Sequence, residues 1–230
     1  MDCECRWTEE ETWDAIAESF SSTRRTPWKQ CLVFIDILKN SDIVADVGCG
    51  NGRHLIPSAQ HCRYAIGVDI SRNLLNIIQN TRREKGLQNV LLIHANAVHL
   101  PLQDKSVNAL LCIASLHNIQ GRTRRLQALH EMNRVLSDTG TALISVWSRW
   151  QRKHWRFFVK QYFFRSGEYG DISIYWRQHH LNVPRFYHLY SKKEFVQELK
   201  KAGFIVKDFQ RVKLHSKRFP DNYFAIVQKR

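Results

Sequence analysis

The spacing of apolar residues changes several times along the chain, and each change marks an element. Thr8-Glu9-Glu10-Glu11 places a capping hydroxyl three residues ahead of an acid, and Trp13, Ile16, Ala17 and Phe20 then recur at helical spacing. A second helix is expected over about 29–39, after Pro27-Trp28. From Ile43 onward, strand-length apolar runs alternate with helical stretches. Strands are expected at 43–47, 64–69, 90–94, 107–114 and 141–147, with helices at about 51–60, 72–85 and 123–136. Ser71 is placed to cap the second of these helices and Gly86 to close it, while 137–140 reads as a turn. Ser191 opens a last helix over about 193–202, which ends at Gly203, and 204–210 and 223–227 read as closing strands. This alternation predicts an α/β chain: a mostly parallel sheet with helices on both faces and ligands beyond the carboxyl ends of the strands.

Residues 148–185 break the rhythm. Trp150, Trp155, Phe157, Phe158, Tyr162, Phe163 and Phe164 are interleaved with Arg149, Arg152, Lys153, Arg156 and Lys160. Part of the stretch is expected to be a helix with its aromatic face on the domain. Its basic face is either plain solvated surface or a nucleic-acid surface, where cations meet phosphates and aromatics stack on unpaired bases. The whole reads as one domain, 1–230, with an N-terminal helical cap over 1–40 and this basic aromatic insertion.

The most telling stretch is Asp46-Val47-Gly48-Cys49-Gly50-Asn51-Gly52. A buried strand breaking into glycines at every second position brings bare backbone N–H groups against a ligand. The spacing is G-x-G-x-G rather than the G-x-G-x-x-G of dinucleotide binders. The next strand ends in Asp69, where an acid accepts hydrogen bonds from ribose hydroxyls; the alternative is a helix N-cap acid. Asp46, Asp69, Asn96 and His117 all fall at strand ends.

Charge changes the picture more than composition does. Hydrophobic residues make up 43%, ordinary for a globular protein, but the formal net charge is +14 with a pI of about 9.8. Such an excess predicts attraction to polyanions, nucleic acid first. No apolar run reaches the ~18 residues of a membrane span. The opening Met1-Asp2-Cys3-Glu4-Cys5 lacks the basic start and apolar core of a signal peptide. Cys31, Cys49, Cys62 and Cys112 are scattered, as in a reduced, cytoplasmic protein, and Cys3-x-Cys5 is too isolated for a metal site.

The glycine loop with Asp69 resembles the Rossmann-like class I S-adenosylmethionine-dependent methyltransferases. Further blocks narrow the resemblance. They are Phe20-Ser21-Ser22-Thr23-Arg24-Arg25-Thr26-Pro27-Trp28, Asn96-Ala97-Val98-His99-Leu100-Pro101, Ile113-Ala114-Ser115-Leu116-His117-Asn118, Ala142–Trp147, Arg185-Phe186-Tyr187-His188-Leu189-Tyr190 and Asp221-Asn222-Tyr223. Together they are similar to the tRNA wobble-uridine carboxymethyl methyltransferases, which esterify 5-carboxymethyluridine. The resemblance implies a seven-stranded sheet and S-adenosylmethionine as cofactor. It also implies a tRNA anticodon stem-loop as substrate and a small zinc-containing activator subunit as partner; the lack of a long apolar run predicts no membrane association. It assigns Asp46, Gly48, Cys49, Gly50, Gly52, Asp69, Ile70, Asn96, Ala97 and Ile113 to the cofactor. Arg24 would grip the substrate carboxylate or an adjacent phosphate, and His117 would lie beside the transferred methyl group and orient the base. Arg25, Trp147, Arg185, Tyr187, His188 and Asn222 would line the nucleotide pocket. The chain departs from the family at Asn96, where an acid is usual, and at Asn118, where a second histidine is common.

No Ser-His-Asp or Cys-His set is needed for this chemistry, because a carboxylate nucleophile is already ionised at neutral pH. A class I methyltransferase of a small molecule would share the cofactor loop but needs neither the +14 charge nor the basic insertion. An RNA-binding protein without activity would not need the intact loop.

Overall fold

Ile43–Val47 (β1) is buried along nearly its whole length and takes an interior place in the sheet. A computed structural model describes residues 7–150, 154–164, 167–214, 216 and 219–230, without the side chains of 155, 156, 160, 163 and 164. The expectations at Cys3, Cys5, Arg152 and Lys153 fall outside the described residues, as do the side chains of Trp155, Arg156, Lys160, Phe163 and Phe164.

The N-terminal helices are α1 (Glu9–Thr23) and α2 (Lys29–Ile35). After β1 come α3 (Leu55–Ser58), β2 (Tyr64–Asp69), α4 (Arg72–Glu84), β3 (Val90–His94), β4 (Val107–Ile113), α5 (Arg122–Val135) and β5 (Leu136–Trp147). The chain ends with α6 (Trp155–Phe164), β6 (Asp171–Trp176), β7 (Val183–His188), α7 (Lys192–Lys201), β8 (Phe204–Val212) and β9 (Asn222–Lys229). A seven-stranded sheet runs in the order β3-β2-β1-β4-β5-β9-β8. Strands β1 to β5 are mutually parallel, and β9 is antiparallel to both β5 and β8. Two apolar clusters flank the sheet. One gathers Leu110, Leu129, Met132, Ile144 and Phe195, the other Phe34, Leu55, Ile78, Leu111 and Phe224. This is the Rossmann-like architecture of class I methyltransferases, with order reversing between β1 and β4, where ligands collect.

The local signals act as expected at the caps. Thr8 and Glu11 form a capping box on α1, Ser191 and Glu194 form another on α7, and Ser71 accepts from the Leu74 N–H at the start of α4. Two expected helices are shorter than their patterns suggest. The one predicted over 51–60 shrinks to Leu55–Ser58, because the glycine loop keeps turning through His54. The one predicted over 29–39 ends at Ile35. The turn at 137–140 is a bulge within β5: Val107 pairs with Leu136, and Ala109 already with Thr141.

The insertion contains a helix, as anticipated, and also an antiparallel hairpin, β6–β7, which the pattern does not announce. Its Trp176 and Val183 pack with Ile16, Trp13 and Phe20 of α1. Asp14 ties α1 down from the other side, its Oδ1 accepting from Ser71 Oγ at 2.6 Å and from the Asn73 N–H at 3.0 Å. Helix and hairpin together roof the carboxyl ends of β1, β2 and β4.

Candidate active site

Under this roof lies a crevice of about 300 Å³. Gly48, Cys49, Gly50, Asn51 and Arg53 form its floor beside Asp69, Ile70, Asn96, Ala97 and Ile113. Arg24, His117, Asn118, Trp147, Arg185 and Tyr187 stand at the roofed end.

The loop takes its shape from glycines. Gly48, Gly50 and Gly52 have φ of +72°, +56° and +79°, which side chains resist. Asp69 holds the loop in place: its Oδ2 accepts from the Gly50 N–H at 2.7 Å and its Oδ1 from the Ser71 N–H at 2.9 Å. Each oxygen keeps acceptor capacity for another donor. Burial raises the Asp69 carboxyl, and the backbone N–H groups of Ser71, Gly50 and Ile70 oppose that rise. Asp46 lies behind the loop, 1% exposed, with Oδ2 lacking a partner. Burial first and then Asp69 push it up to about 7.

Three guanidiniums line the crevice, Arg24, Arg53 and Arg185, and none has a carboxylate within ion-pair distance among the described residues. Aromatic rings position them instead. Arg53 sits 4.4 Å over Trp28, Arg185 4.7 Å over Trp176 and 5.1 Å over Tyr187, and Arg24 5.8 Å over Trp176. Burial, followed by the positive charge of Arg24, brings Arg53 down to about 10 against the pull of Cys31 and Asp46. Burial also lowers Arg185. Cations held in a crevice without acids of their own suit anionic ligands.

Beside them, Trp147 and Tyr187 stack at 4.7 Å and 2°, and the His117 ring lies 5.2 Å and 5.6 Å from theirs. His117 is fully buried. Its Nδ1 accepts from the Trp147 N–H at 3.1 Å, and burial drops its pKa to about 3, helped by His188, Arg185 and Arg125. The ring is therefore neutral with its proton on Nε2.

The comparisons agree with this geometry. The Methyltransferase domain profile matches residues 44–140. A mouse tRNA (carboxymethyluridine(34)-5-O)-methyltransferase, ALKBH8, is 38% identical over 138 residues, 60% of this chain and 19% of that protein. The fission yeast tRNA (carboxymethyluridine(34)-5-O)-methyltransferase is 27% identical over 84% of this chain and 86% of its own length. A putative methyltransferase of Encephalitozoon cuniculi is 32% identical over 199 residues, covering 85% of this chain and 86% of that one. The chain belongs to a methyltransferase family, which it shares with this Encephalitozoon protein.

This methyltransferase thus spans about a fifth of the mouse relative's length. Among solved structures, a S-adenosylmethionine-dependent methyltransferase from Methanosarcina mazei superposes with a TM-score of 0.73 at 20% identity, covering 89% of this chain and 98% of that one. A putative methyltransferase solved in complex with the Haloferax volcanii Trm112 activator gives 0.67 at 14%, covering 97% and 99%. Both likenesses concern the fold.

The crevice residues fit S-adenosylmethionine, the cofactor expected from the glycine loop and Asp69. The open glycine loop, the spare acceptor capacity of Asp69 and the unpaired cations match a ribose and an amino-acid arm. Asn96 Oδ1 accepts from the Val98 N–H at 3.1 Å and, like the Asp69 oxygens, keeps one further acceptor site. Five predicted site residues are not at the crevice wall. Asp46 and Gly52 support the loop from behind, and a Cβ on Gly52 would press on Ile78 at 3.0 Å. Arg25 is exposed outside the crevice. His188 is buried with both ring nitrogens engaged, Nδ1 with Asp171 at 2.7 Å and Nε2 with Glu194 at 3.0 Å, so it pins β7 to α7 instead of meeting a nucleotide. Asn222 is buried opposite Trp147, its Nδ2 donating to Asp221 at 3.2 Å. Arg53 is the crevice-lining cation that the sequence did not single out; its position directly after the last loop glycine was the available signal.

Proposed function

We propose that this methyltransferase esterifies the carboxylate of 5-carboxymethyluridine at the wobble position of tRNA. The observation that carries this reading is the pairing of acid-free Arg24 and Arg185 with the Trp147–Tyr187 stack at one end of the crevice. That end suits an anion attached to a planar base. When bound, S-adenosylmethionine supplies an activated methyl group. Arg24 grips the carboxylate, with Arg185 beside it, Trp147 and Tyr187 offer ring faces to the uracil, and neutral His117 orients it. No residue needs to remove a proton, so the protein's work is alignment and exclusion of water, worth several kcal/mol when the reacting atoms are held in line. The roof of α1 and the β6–β7 hairpin provides that exclusion. The net charge of +14 favours the tRNA backbone.

By family resemblance, a small zinc-containing activator subunit completes the enzyme. Cytoplasmic residence fits the four free, buried cysteines among the described residues. The test is methyl transfer to total tRNA with and without the activator, followed by nucleoside analysis. The expected product is an alkali-labile methyl ester of 5-carboxymethyluridine. Cofactor binding without transfer to any tRNA would refute the choice of acceptor.

A further inference from the structure

The turn after β4 leaves two adjacent side chains with unused hydrogen-bonding atoms. His117 Nε2 and Asn118 Oδ1 are both buried, both without a partner in the protein, and both residues line the crevice. Their other polar atoms are committed. His117 Nδ1 accepts from the Trp147 N–H at 3.1 Å, and Asn118 Nδ2 donates to the Ala114 carbonyl at 3.1 Å. These bonds fix what remains: a neutral Nε2–H that can only donate, and an amide oxygen that can only accept. Native proteins rarely leave such buried atoms unpaired, and these two belong to residues lining a crevice that can admit a ligand.

A uracil ring presents the complement on neighbouring positions, an acceptor at O4 and a donor at N3–H. Its O4 is also next to C5, which carries the carboxymethyl arm. Cytosine reverses both, with an amino group at position 4 and a bare N3. The arginines account for the anion, leaving the neutral pair for the neutral edge. We infer that His117 Nε2–H and Asn118 Oδ1 read the O4/N3–H edge of the uracil, so that the turn after β4 selects the base as well as orienting it. This inference rests on the proposed acceptor. It gives Asn118, a departure from the family's usual histidine, a task of its own.

The test uses the enzyme with its activator and three anticodon stem-loops, bearing 5-carboxymethyluridine, its N3-methyl derivative or 5-carboxymethylcytidine. The wild type is expected to lose at least about tenfold in kcat/KM on each of the latter two, since each leaves buried polar atoms opposed or unpaired. His117→Phe keeps a ring in the stack and should erase the preference for uridine over cytidine. Asn118→Leu should reduce the N3-methyl penalty to less than about twofold. Each comparison is a ratio within one protein, so a smaller folded fraction cancels. A nitrogen NMR spectrum of wild-type His117 should show the neutral Nε2–H tautomer. Equal use of all three RNAs, unchanged ratios in the variants, or a proton on Nδ1 would overturn the inference while leaving the acceptor in place. Transfer to none of the RNAs would overturn both.

Discussion

Gly48→Ala separates the two jobs of the glycine loop. Gly48 and Gly86 both sit at positive φ, +72° and +65°, so alanine meets a similar backbone cost at either, about 1–2 kcal/mol. At Gly86, just beyond α4, a Cβ would meet nothing within 4 Å. At Gly48 it would overlap both Oγ and Cβ of Ser115, so turning the hydroxyl away does not relieve the clash. Ser115 cannot simply retreat. The preceding Ala114 is itself at φ +53°, with its N–H held by Ser145 Oγ at 2.9 Å, and the Ser115 carbonyl accepts from Asn118. Overpacking of this kind adds about 1–3 kcal/mol. Gly86→Ala should therefore lower Tm by about 2–8 °C, and Gly48→Ala by about 4–20 °C, at roughly 2–4 °C per kcal/mol for a chain this long. Only Gly48→Ala should weaken S-adenosylhomocysteine binding, by at least about tenfold, because only there do the loop and the turn carrying His117 move. Thermal unfolding and calorimetry measure the two effects. Equal Tm losses, or wild-type affinity in Gly48→Ala, would show that the Ser115 contact does not set the loop's position.

Arg24→Ala should abolish methyl transfer while cofactor affinity stays within a few-fold in calorimetry, because its proposed task is to grip the substrate carboxylate. Asp46 keeps its proton to about pH 7 when folded but only to about 4 when unfolded. The unfolded chain thus binds fewer protons across that window, and this group's contribution makes stability fall as pH rises through it. Asp46→Asn should remove that part of the fall, gaining Tm relative to wild type from about pH 4 to 7. Burial works against a charged His188, yet its bonds to Asp171 and Glu194 hold its pKa above the ordinary value. Its stabilisation is present at low pH and is lost as pH rises through the folded value. His188→Leu should cost about 1–3 kcal/mol by taking a hydrogen-bond partner from the part-buried Asp171 and Glu194, read as a lower Tm and faster proteolysis within 167–190.

The strand ends were legible because their chemistry is contiguous in sequence. Three glycines at alternate positions and an acid at the end of the next strand need no distant partner to be recognised. Caps were equally readable, since Thr8 with Glu11 and Ser191 with Glu194 act within one turn. What escaped depends on residues far apart in the chain. The hairpin was hidden because 177–182 carries no Asn-Gly or Gly-Gly signal; His179 and His180 take positive φ instead, and Ser19 of α1 bonds His179 Nδ1 at 2.6 Å. His188 looked like a nucleotide ligand because nothing local announces that Asp171 and Glu194 will flank it. Arg53 gains its meaning from the Trp28 ring beneath it.

The same distinction divides the site itself. The cofactor floor is built by one βαβ unit and can be read from a short stretch. The roofed end exists only because the insertion folds back on α1: Trp176 receives Arg185 on its face and packs with Phe20, and its indole N–H donates to Ser19 at 2.8 Å. Arg24 and Arg185 reach one crevice through that docking, so the acceptor end depends on the fit of the hairpin against α1. Substitutions that loosen this contact should therefore cost methyl transfer before they cost cofactor binding.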